Sequence, residues 1–261
     1  MDHPPTRNVL VTGAAGAIGK GIAAGFLGRG DRVFLTDLDP GATAAAAREL
    51  AGNGPACAHL AADVTNAKQV AAAVAAARTA FDGRIDVLVN VAGVVGQGKV
   101  EELTEEQWDL MFDVNVKGAF LFIRETVAAM KQQGFGRIVN FSSKSGKTGS
   151  ALMSHYSSAK AAIIGLTQAL AYELADFGIT VNCLCPGITD HTGVWKHVSA
   201  GYVENLGLSR EEVISKFTSK IPLKRLARVE DVVAVTLFLA SPGADYMTGQ
   251  AVNVTGGREM H

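Results

Sequence analysis

A hydroxyl, a phenol and an ammonium group stand close together in one stretch of the chain, at Ser143, Tyr156 and Lys160. Tyr156 and Lys160 are four positions apart in a pattern that reads as a helix starting near Ser154. Side chains at that spacing project from one helix face. Ser143 follows the apolar run at 137–141, which reads as a buried strand. Open α/β sheets present their binding crevice at the carboxyl ends of the strands. The spacing therefore brings a proton-transfer group, a positive charge and a hydroxyl toward one site.

Holding them there takes a sheet, and the rest of the chain spells one. Residues 8–12 form a short apolar strand, followed by Gly13-Ala14-Ala15-Gly16-Ala17-Ile18-Gly19, a helical pattern to about Arg29 and a second strand at 32–36. This is the β-α-β context that a dinucleotide-binding fingerprint requires. Small residues at Gly13, Ala17 and Gly19, beside Ile18, let the backbone approach a pyrophosphate, and the helix N-terminus offers it unpaired N–H groups. Asp37, at the end of the second strand, is placed to accept hydrogen bonds from the adenosine ribose hydroxyls and would repel a 2′-phosphate. Leu38 stands where an Arg would serve such a phosphate. The pattern predicts NAD rather than NADP.

Further strands at 56–61, 85–90, 137–141, 179–184 and 251–254 alternate with helices at 40–51, 66–81, 104–130, 154–177 and 229–240. That rhythm predicts a doubly wound parallel sheet. Asp63-Val64, Asn90 to Gly93 and Pro186-Gly187-Ile188-Thr189 leave strand ends on the ligand side. Asp63 reads as an acceptor for the adenine amino group, as the cap of the helix near Asn66, or as both. Asn115 sits inside an apolar helix pattern, where a buried amide must be paired. It reads either as a bond to a neighbouring strand or as a break in the helix ladder that holds a water. Residues 189–222 leave the α/β rhythm, carry a short helix at 210–217 and read as a substrate lid.

The 261 residues, 48% of them hydrophobic, suit one α/β domain, residues 1–261, with a well-buried core. A net charge of −1 supplies no global basic field for nucleic acid. No window is long and apolar enough for a membrane helix. The start of the chain lacks the pattern of a secretory signal, so a cytoplasmic location is expected. Cys183 and Cys185 share one face of a strand and, like Cys57, read as small core residues rather than a metal or redox pair. No metal site is expected.

Together, Thr12 to Gly19, Asn90-Val91-Ala92-Gly93, Asn115, Ser143, Tyr156-Ser157-Ser158-Ala159-Lys160 and Pro186-Gly187 resemble the short-chain dehydrogenase/reductases over essentially the whole chain. The resemblance implies a single-domain, Rossmann-like α/β fold, a seven-stranded parallel sheet with helices on both faces. It also implies a homotetramer in most members, joined through the helices at 106–130 and 154–177. It assigns Tyr156 as the catalytic base, with Lys160 favouring its phenolate and holding the nicotinamide ribose. Ser143 would bond the substrate oxygen, and Asn115 would hold a water linking Lys160 to solvent. Three positions depart from the family pattern. Ala17 stands at a common glycine, Val91 replaces a second Asn, and His191 stands where Thr is frequent, leaving Thr189 or Thr192 for the cofactor.

Ser143 to Ser150, Lys220 to Arg225 and Tyr246 to Gly257 further resemble the polyol and sorbitol-6-phosphate 2-dehydrogenase branch of that family. This implies oxidation of a secondary alcohol of a sugar alcohol, or of its phosphate, to a ketose with NAD. Lys144, Ser145, His155 and Trp195 are candidate substrate contacts. Lys144 and Lys147 read either as phosphate ligands or as surface-loop residues. The alternatives are a small diol or acetoin dehydrogenase and a 3-oxoacyl-carrier-protein reductase, the latter disfavoured by Asp37. A non-catalytic NAD-sensing protein is disfavoured because Tyr156 and Lys160 are both present.

Overall fold

Successive strand residues face opposite sides of the sheet, and both sides are buried. In β1 (Asn8–Thr12), Val9 and Val11 face one side and Leu10 the other, and all are fully buried. A strand buried on both faces belongs in the middle of a parallel sheet. The computed structural model, which describes residues 6–52, 57–207 and 209–261, places β1 there. The remaining strands are β2 (Arg32–Thr36), β3 (Cys57–His59), β4 (Val87–Asn90), β5 (Gly136–Phe141), β6 (Ile179–Pro186) and β7 (Ala251–Val254). They form one seven-stranded sheet in the order β3-β2-β1-β4-β5-β6-β7, every pair parallel.

Val9 and Val11 pack against α1 (Ala17–Leu27), α2 (Pro40–Ala51) and α10 (Val229–Leu239) through Ile22, Phe26, Ala47 and Leu237. On the opposite face Leu10 and Leu88 meet α3 (Ala67–Ala80), α5 (Gly118–Gln133) and α7 (Ser154–Leu174) through Val70, Phe122 and Leu174. Over the carboxyl ends of the strands lies a separate apolar cluster. Met111 from α4 (Glu105–Phe112), Met153, Tyr156, Trp195 from α8 (Gly193–Leu206) and Val213 from α9 (Arg210–Thr218) belong to it. One short further helix, α6 (Lys144–Thr148), links β5 to α7. Among the described residues no helix is long and apolar enough to cross a membrane.

The α/β rhythm stands as the sequence predicts, and the differences have local causes. β3 is shorter than the predicted 56–61, whose first residue lies outside the described residues, and β4 starts later than 85. β6 runs on to Pro186 because its carboxyl half pairs with β7. The cap of α3 is Asn66, whose side chain accepts from the N–H groups of Lys68 and Gln69. This corrects the reading of Asp63 as that cap: Asp63 instead accepts from the N–H and hydroxyl of Thr65, both at 2.8 Å.

The single helix expected over 104–130 is two helices joined by a π-helical turn at Asp113–Lys117. Its capping box at Thr104 and Gln107 is as predicted. In the excursion at 189–222, α9 is the expected short helix, and α8 is an additional one. Trp195, Val198 and Tyr202 fall on one face of α8, a three-then-four spacing that carried the signal for it.

Candidate active site

The glycine turn fits a dinucleotide through what it lacks. Gly13 has φ +65°, and a Cβ there would lie 2.7 Å from the Ala92 nitrogen. At Gly19 a Cβ would collide with the Gly13 carbonyl oxygen. Backbone can therefore come close at this turn, and the first turn of α1 follows it. The Asp37 carboxylate closes the other end. Its Oδ2 accepts from the Ala15 N–H at 2.9 Å and its Oδ1 from the Leu38 N–H at 2.7 Å. Each oxygen keeps a lone pair for a ribose hydroxyl. Leu38 is exposed beside it and carries no charge. Asp63 is held by Thr65, and Val64 packs onto Gly118.

At the mouths of β4, β5 and β6 a cavity opens. Ile18, Val91, Gly93 and the Pro186 to Thr189 turn line one part of it. Asn115, Ser143, Tyr156 and Lys160 line its centre, so the structure brings the four predicted catalytic residues together. Ser143 is the N-cap of α6, and its Oγ accepts from the Ser145 N–H at 3.1 Å. It also lies close enough to the Tyr156 phenol to favour its ionised form. Ser142 lies outside this group in function: its hydroxyl donates to the Lys160 carbonyl at 2.7 Å and ties β5 to α7.

Lys160 is buried, with its Nζ 5.7 Å from the Tyr156 ring centroid and donating to the Phe141 carbonyl at 2.9 Å. Burial pushes its ammonium down to about 8, with the Cys183 and Cys185 thiols opposing. Burial likewise pushes the Tyr156 phenol up, and the nearby Ser143 hydroxyl opposes it. In the free protein desolvation outweighs any favouring of the phenolate by Lys160.

Asn115 explains the π turn. Its Nδ2 donates to the carbonyls of Met111, four residues back, and of Val94, each at 3.0 Å. A side chain that takes an i−4 carbonyl displaces the helical N–H from it and widens the turn. Of the two sequence readings, the break in the ladder is the one seen. The Asn115 Oδ1 is buried with no partner among the described residues. A Cβ at Gly93 would fall 2.6 Å from that oxygen and 3.2 Å from the Lys160 Nζ. Gly93 therefore keeps open the space between a spare acceptor and a buried ammonium. A water fits that chemistry.

Some candidates sit elsewhere. Asn90 does not line the cavity; its amide donates to Asn140 Oδ1 at 2.9 Å and joins β4 to β5. Ala92 lies behind the glycine turn, its N–H bonded to the Thr12 hydroxyl at 3.1 Å. Lys144, Ser145 and Trp195 line the cavity, and Trp195 Nε1 has no partner among the described residues. His155 does not line it. It is buried against Gly96, whose Cβ would meet His155 Nε2 at 2.7 Å, and burial lowers its basicity. The expectation of a substrate contact at His155 is corrected on that ground: a residue adjacent to Tyr156 in the helix points about 100° away from it. Lys147 donates to the Ala251 carbonyl at 2.6 Å, so its ammonium is committed to β7 rather than to a phosphate. Cys183 and Cys185 are fully buried and pack with Ile163, as core residues do.

Tyr202, Phe217 and Arg258 also line the cavity, and sequence reasoning missed all three as site residues. Tyr202 was findable from the α8 spacing. Arg258 carried no local signal, because its place follows from how the chain end folds back beside β7.

The family model described as enoyl-(acyl carrier protein) reductase matches residues 13–259. The chain is 36% identical over 253 residues to galactitol 2-dehydrogenase of Agrobacterium fabrum, spanning 96% of both proteins. Its backbone superposes on the crystal structure of sorbitol-6-phosphate 2-dehydrogenase from Erwinia amylovora with a TM-score of 0.93 at 37% identity, covering 97% of this chain and 100% of the other. An actinorhodin polyketide ketoreductase variant, solved with NADPH, gives a TM-score of 0.93 at 35% identity over 99% of both chains. With its parallel sheet, its glycine turn and its Ser–Tyr–Lys cluster, the chain belongs to the short-chain dehydrogenase/reductase family of oxidoreductases.

Proposed function

We propose that the protein oxidises a secondary alcohol of a sugar alcohol, or of a sugar-alcohol phosphate, to a ketose with NAD as the acceptor. The observation that carries the reading is that the Ser143, Tyr156 and Lys160 cluster shares its cavity with Ile18 and Gly93, beside the glycine turn whose Ala15 N–H is held by Asp37. The likeness to galactitol and sorbitol-6-phosphate dehydrogenases supports the substrate class.

The chemistry follows from the groups in place. When bound, the nicotinamide supplies the hydride acceptor and a positive charge. Ser143 donates to the substrate oxygen and stabilises its developing charge. Tyr156 takes the hydroxyl proton. Lys160, as an ammonium 5.7 Å from the phenol ring, counters the phenolate and reaches toward the nicotinamide ribose. Asn115 holds the water that connects Lys160 with solvent. Ile18, Ala92, Gly93 and the Pro186 to Thr189 turn shape the nicotinamide side, while Gly13, Ala17, Gly19 and Asp37 take the other half of the dinucleotide, with Leu38, Asp63 and Val64 beside it. Residues 189–222, which carry α8 and α9 over the cavity, act as its lid. Exposed Trp108, Leu110, Phe120 and Tyr172 on α4, α5 and α7 support subunit contacts through those helices, as in a homotetramer.

A second reading draws on the cavity wall. Val94, Val95, Met153, Val198 and Phe217 are apolar, which favours a substrate with an apolar body such as a hydroxyacyl group. A panel of hexitols, hexitol phosphates, small diols and 3-hydroxyacyl thioesters, followed by NADH absorbance, separates the two. The expected result is fastest NADH formation with a hexitol or its phosphate. Tight NAD binding with no alcohol oxidised would remove the enzyme reading.

The cofactor preference has its own test. Replacing Asp37 by Ser together with Leu38 by Arg removes a charge that repels a 2′-phosphate and adds one that binds it. The ratio of kcat/KM for NADP to that for NAD is expected to rise by ~10²–10³-fold, since like-charge juxtaposition costs several kcal/mol and a charge-assisted pair adds more. A wild-type enzyme that already uses NADP as well as NAD contradicts this account of Asp37.

A further inference from the structure

Among the described residues, the guanidinium of Arg258 has no hydrogen-bond acceptor although it lines the cavity. Arg258 lies on the wall formed by α8, α9 and the end of the chain. Its guanidinium carbon stands 5.4 Å from the Phe217 ring centroid, and its side chain is 19% exposed. The closest acid is Glu259, at 4.0 Å from the Arg258 Nε, beyond hydrogen-bond reach. Among the described residues no side-chain hydrogen bond is made by this guanidinium. A planar fork of N–H donors is thus fixed on an aromatic face and left unfilled.

Lys144, next to Ser143, approaches the same carboxylate oxygen of Glu259. Its Nζ is 3.5 Å from Glu259 Oε1 and donates to the Gly149 carbonyl at 3.0 Å. One carboxylate is therefore shared by two cations, and the group keeps a net positive charge. Holding a mostly buried guanidinium without an acceptor opposes folding. An anionic ligand offsets that cost on binding. The Tyr202 phenol, which also lines the cavity, feels the Arg258 charge, and burial raises it.

We propose that Arg258, together with Lys144 beside it on Glu259, recognises an oxyanion carried by the substrate, a phosphate monoester or a carboxylate. The preferred substrate is then an anionic alcohol rather than a neutral polyol. This deepens the proposed function and rests on its reading of the cavity as the alcohol site. Arg258 is a specificity determinant here, and hydride transfer itself stays with the Ser143, Tyr156 and Lys160 cluster.

The test uses the full-length enzyme with NAD and three alcohols of one carbon skeleton: sorbitol, sorbitol 6-phosphate and gluconate. Wild type, Arg258→Gln and Arg258→Lys are compared. The wild type is expected to favour the phosphate or the carboxylate over sorbitol in kcat/KM, and whichever of the two is favoured names the oxyanion. Arg258→Gln is expected to raise KM for that anionic alcohol by ~10–100-fold more than for sorbitol, the range for losing hydrogen bonds to a charged group. Its kcat should change little by comparison, and Arg258→Lys should recover part of the loss. A wild type that prefers sorbitol, or a variant that weakens charged and neutral alcohols alike, overturns the proposal and leaves Arg258 as a packing residue on Phe217.

Failure of the wider reading looks different. Should none of the three alcohols be oxidised, titration of the NAD-bound enzyme with inorganic phosphate, read by tryptophan fluorescence, decides independently. Phosphate binding weakened at least tenfold in Arg258→Gln upholds the anion site without the sugar-alcohol reading. Binding equal in the two proteins, or absent from both, overturns the site as well. Circular dichroism of each variant separates loss of recognition from loss of fold.

Discussion

Tyr156→Phe is expected to reduce kcat by ~10²–10⁴-fold, the span associated with removing a positioned general base. NAD affinity should stay within a few-fold of wild type. The substitution removes one oxygen from a side chain that is otherwise held by its packing with Met153, Trp195 and Val213. Among the described residues the other titratable groups that line the cavity are poor substitutes: Lys160 is bonded to the Phe141 carbonyl, Lys144 to the Gly149 carbonyl and Glu259, burial raises the Tyr202 phenol, and the Arg258 guanidinium is not a base. Ser143 would still orient the substrate oxygen, so KM should move less than kcat. Burial holds the phenol above its ordinary range in the free protein. Alcohol oxidation by the wild type should accordingly rise with pH as the proton leaves, and the variant should lose that rise along with its rate. Steady-state NADH formation across pH, with NAD binding followed by fluorescence, checks both parts. Retention of more than a tenth of wild-type kcat would show that another group takes the proton.

The layers and most of the cluster were legible in the sequence because they rest on local rules. Strand and helix alternate with clear punctuation, and Pro40–Ala51 and Ala251–Val254 begin and end where their patterns do. Tyr156 and Lys160 share a face by helix geometry alone. What escaped depends on contacts between distant segments. The fate of Lys147 is decided by a carbonyl on β7, far along the chain. Arg258 reaches the cavity only because the chain end packs beside α9 and the Ser143 loop. His155 seemed a site residue by adjacency, yet one step along a helix turns a side chain away. The π turn at Asn115 was readable as an irregularity, because a polar amide in an apolar pattern has to find partners. Which carbonyls it takes was not readable, since Val94 is supplied by the loop after β4.

The polar centre and the apolar wall bear on each other. Tyr156 belongs to the same apolar cluster as Trp195 and Val213, so the elements over the cavity also strip water from the reacting groups. Low local dielectric strengthens the hold of Lys160 on a phenolate once one forms. It also explains why the two groups shift toward their neutral forms before any ligand arrives. The residues of α8 and α9 thus tune the proton chemistry without touching a proton.

Lys160→Met is expected to stabilise the protein while abolishing most of its activity. The ammonium has its ordinary value of 10.5 in the unfolded chain and about 8 in the folded one. Between these values the unfolded state binds more protons, so stability rises with pH through the window from about 8 to 10.5. Below about pH 8 the folded state bears the full cost of burying the charge, about 3 kcal/mol from that difference. A methionine of similar length removes this cost but leaves the Phe141 carbonyl without its donor, a loss of ~1–2 kcal/mol. The net gain at pH 7 is then ~1–2 kcal/mol, or roughly 2–8 °C in Tm for a chain of this size. At pH 10 the wild type has shed most of its penalty, so the gap should close or reverse. Groups that do not interact with Lys160 cancel in the difference. Thermal melts of the two proteins without NAD, at equal concentration and at pH 7 and 10, test the sign directly. A variant less stable than wild type at pH 7, or a gap that does not change with pH, would mean that the ammonium is not held against its own desolvation. Where the gap behaves as expected and activity is lost, Lys160 is a charge kept at the expense of stability because the phenol beside it needs one.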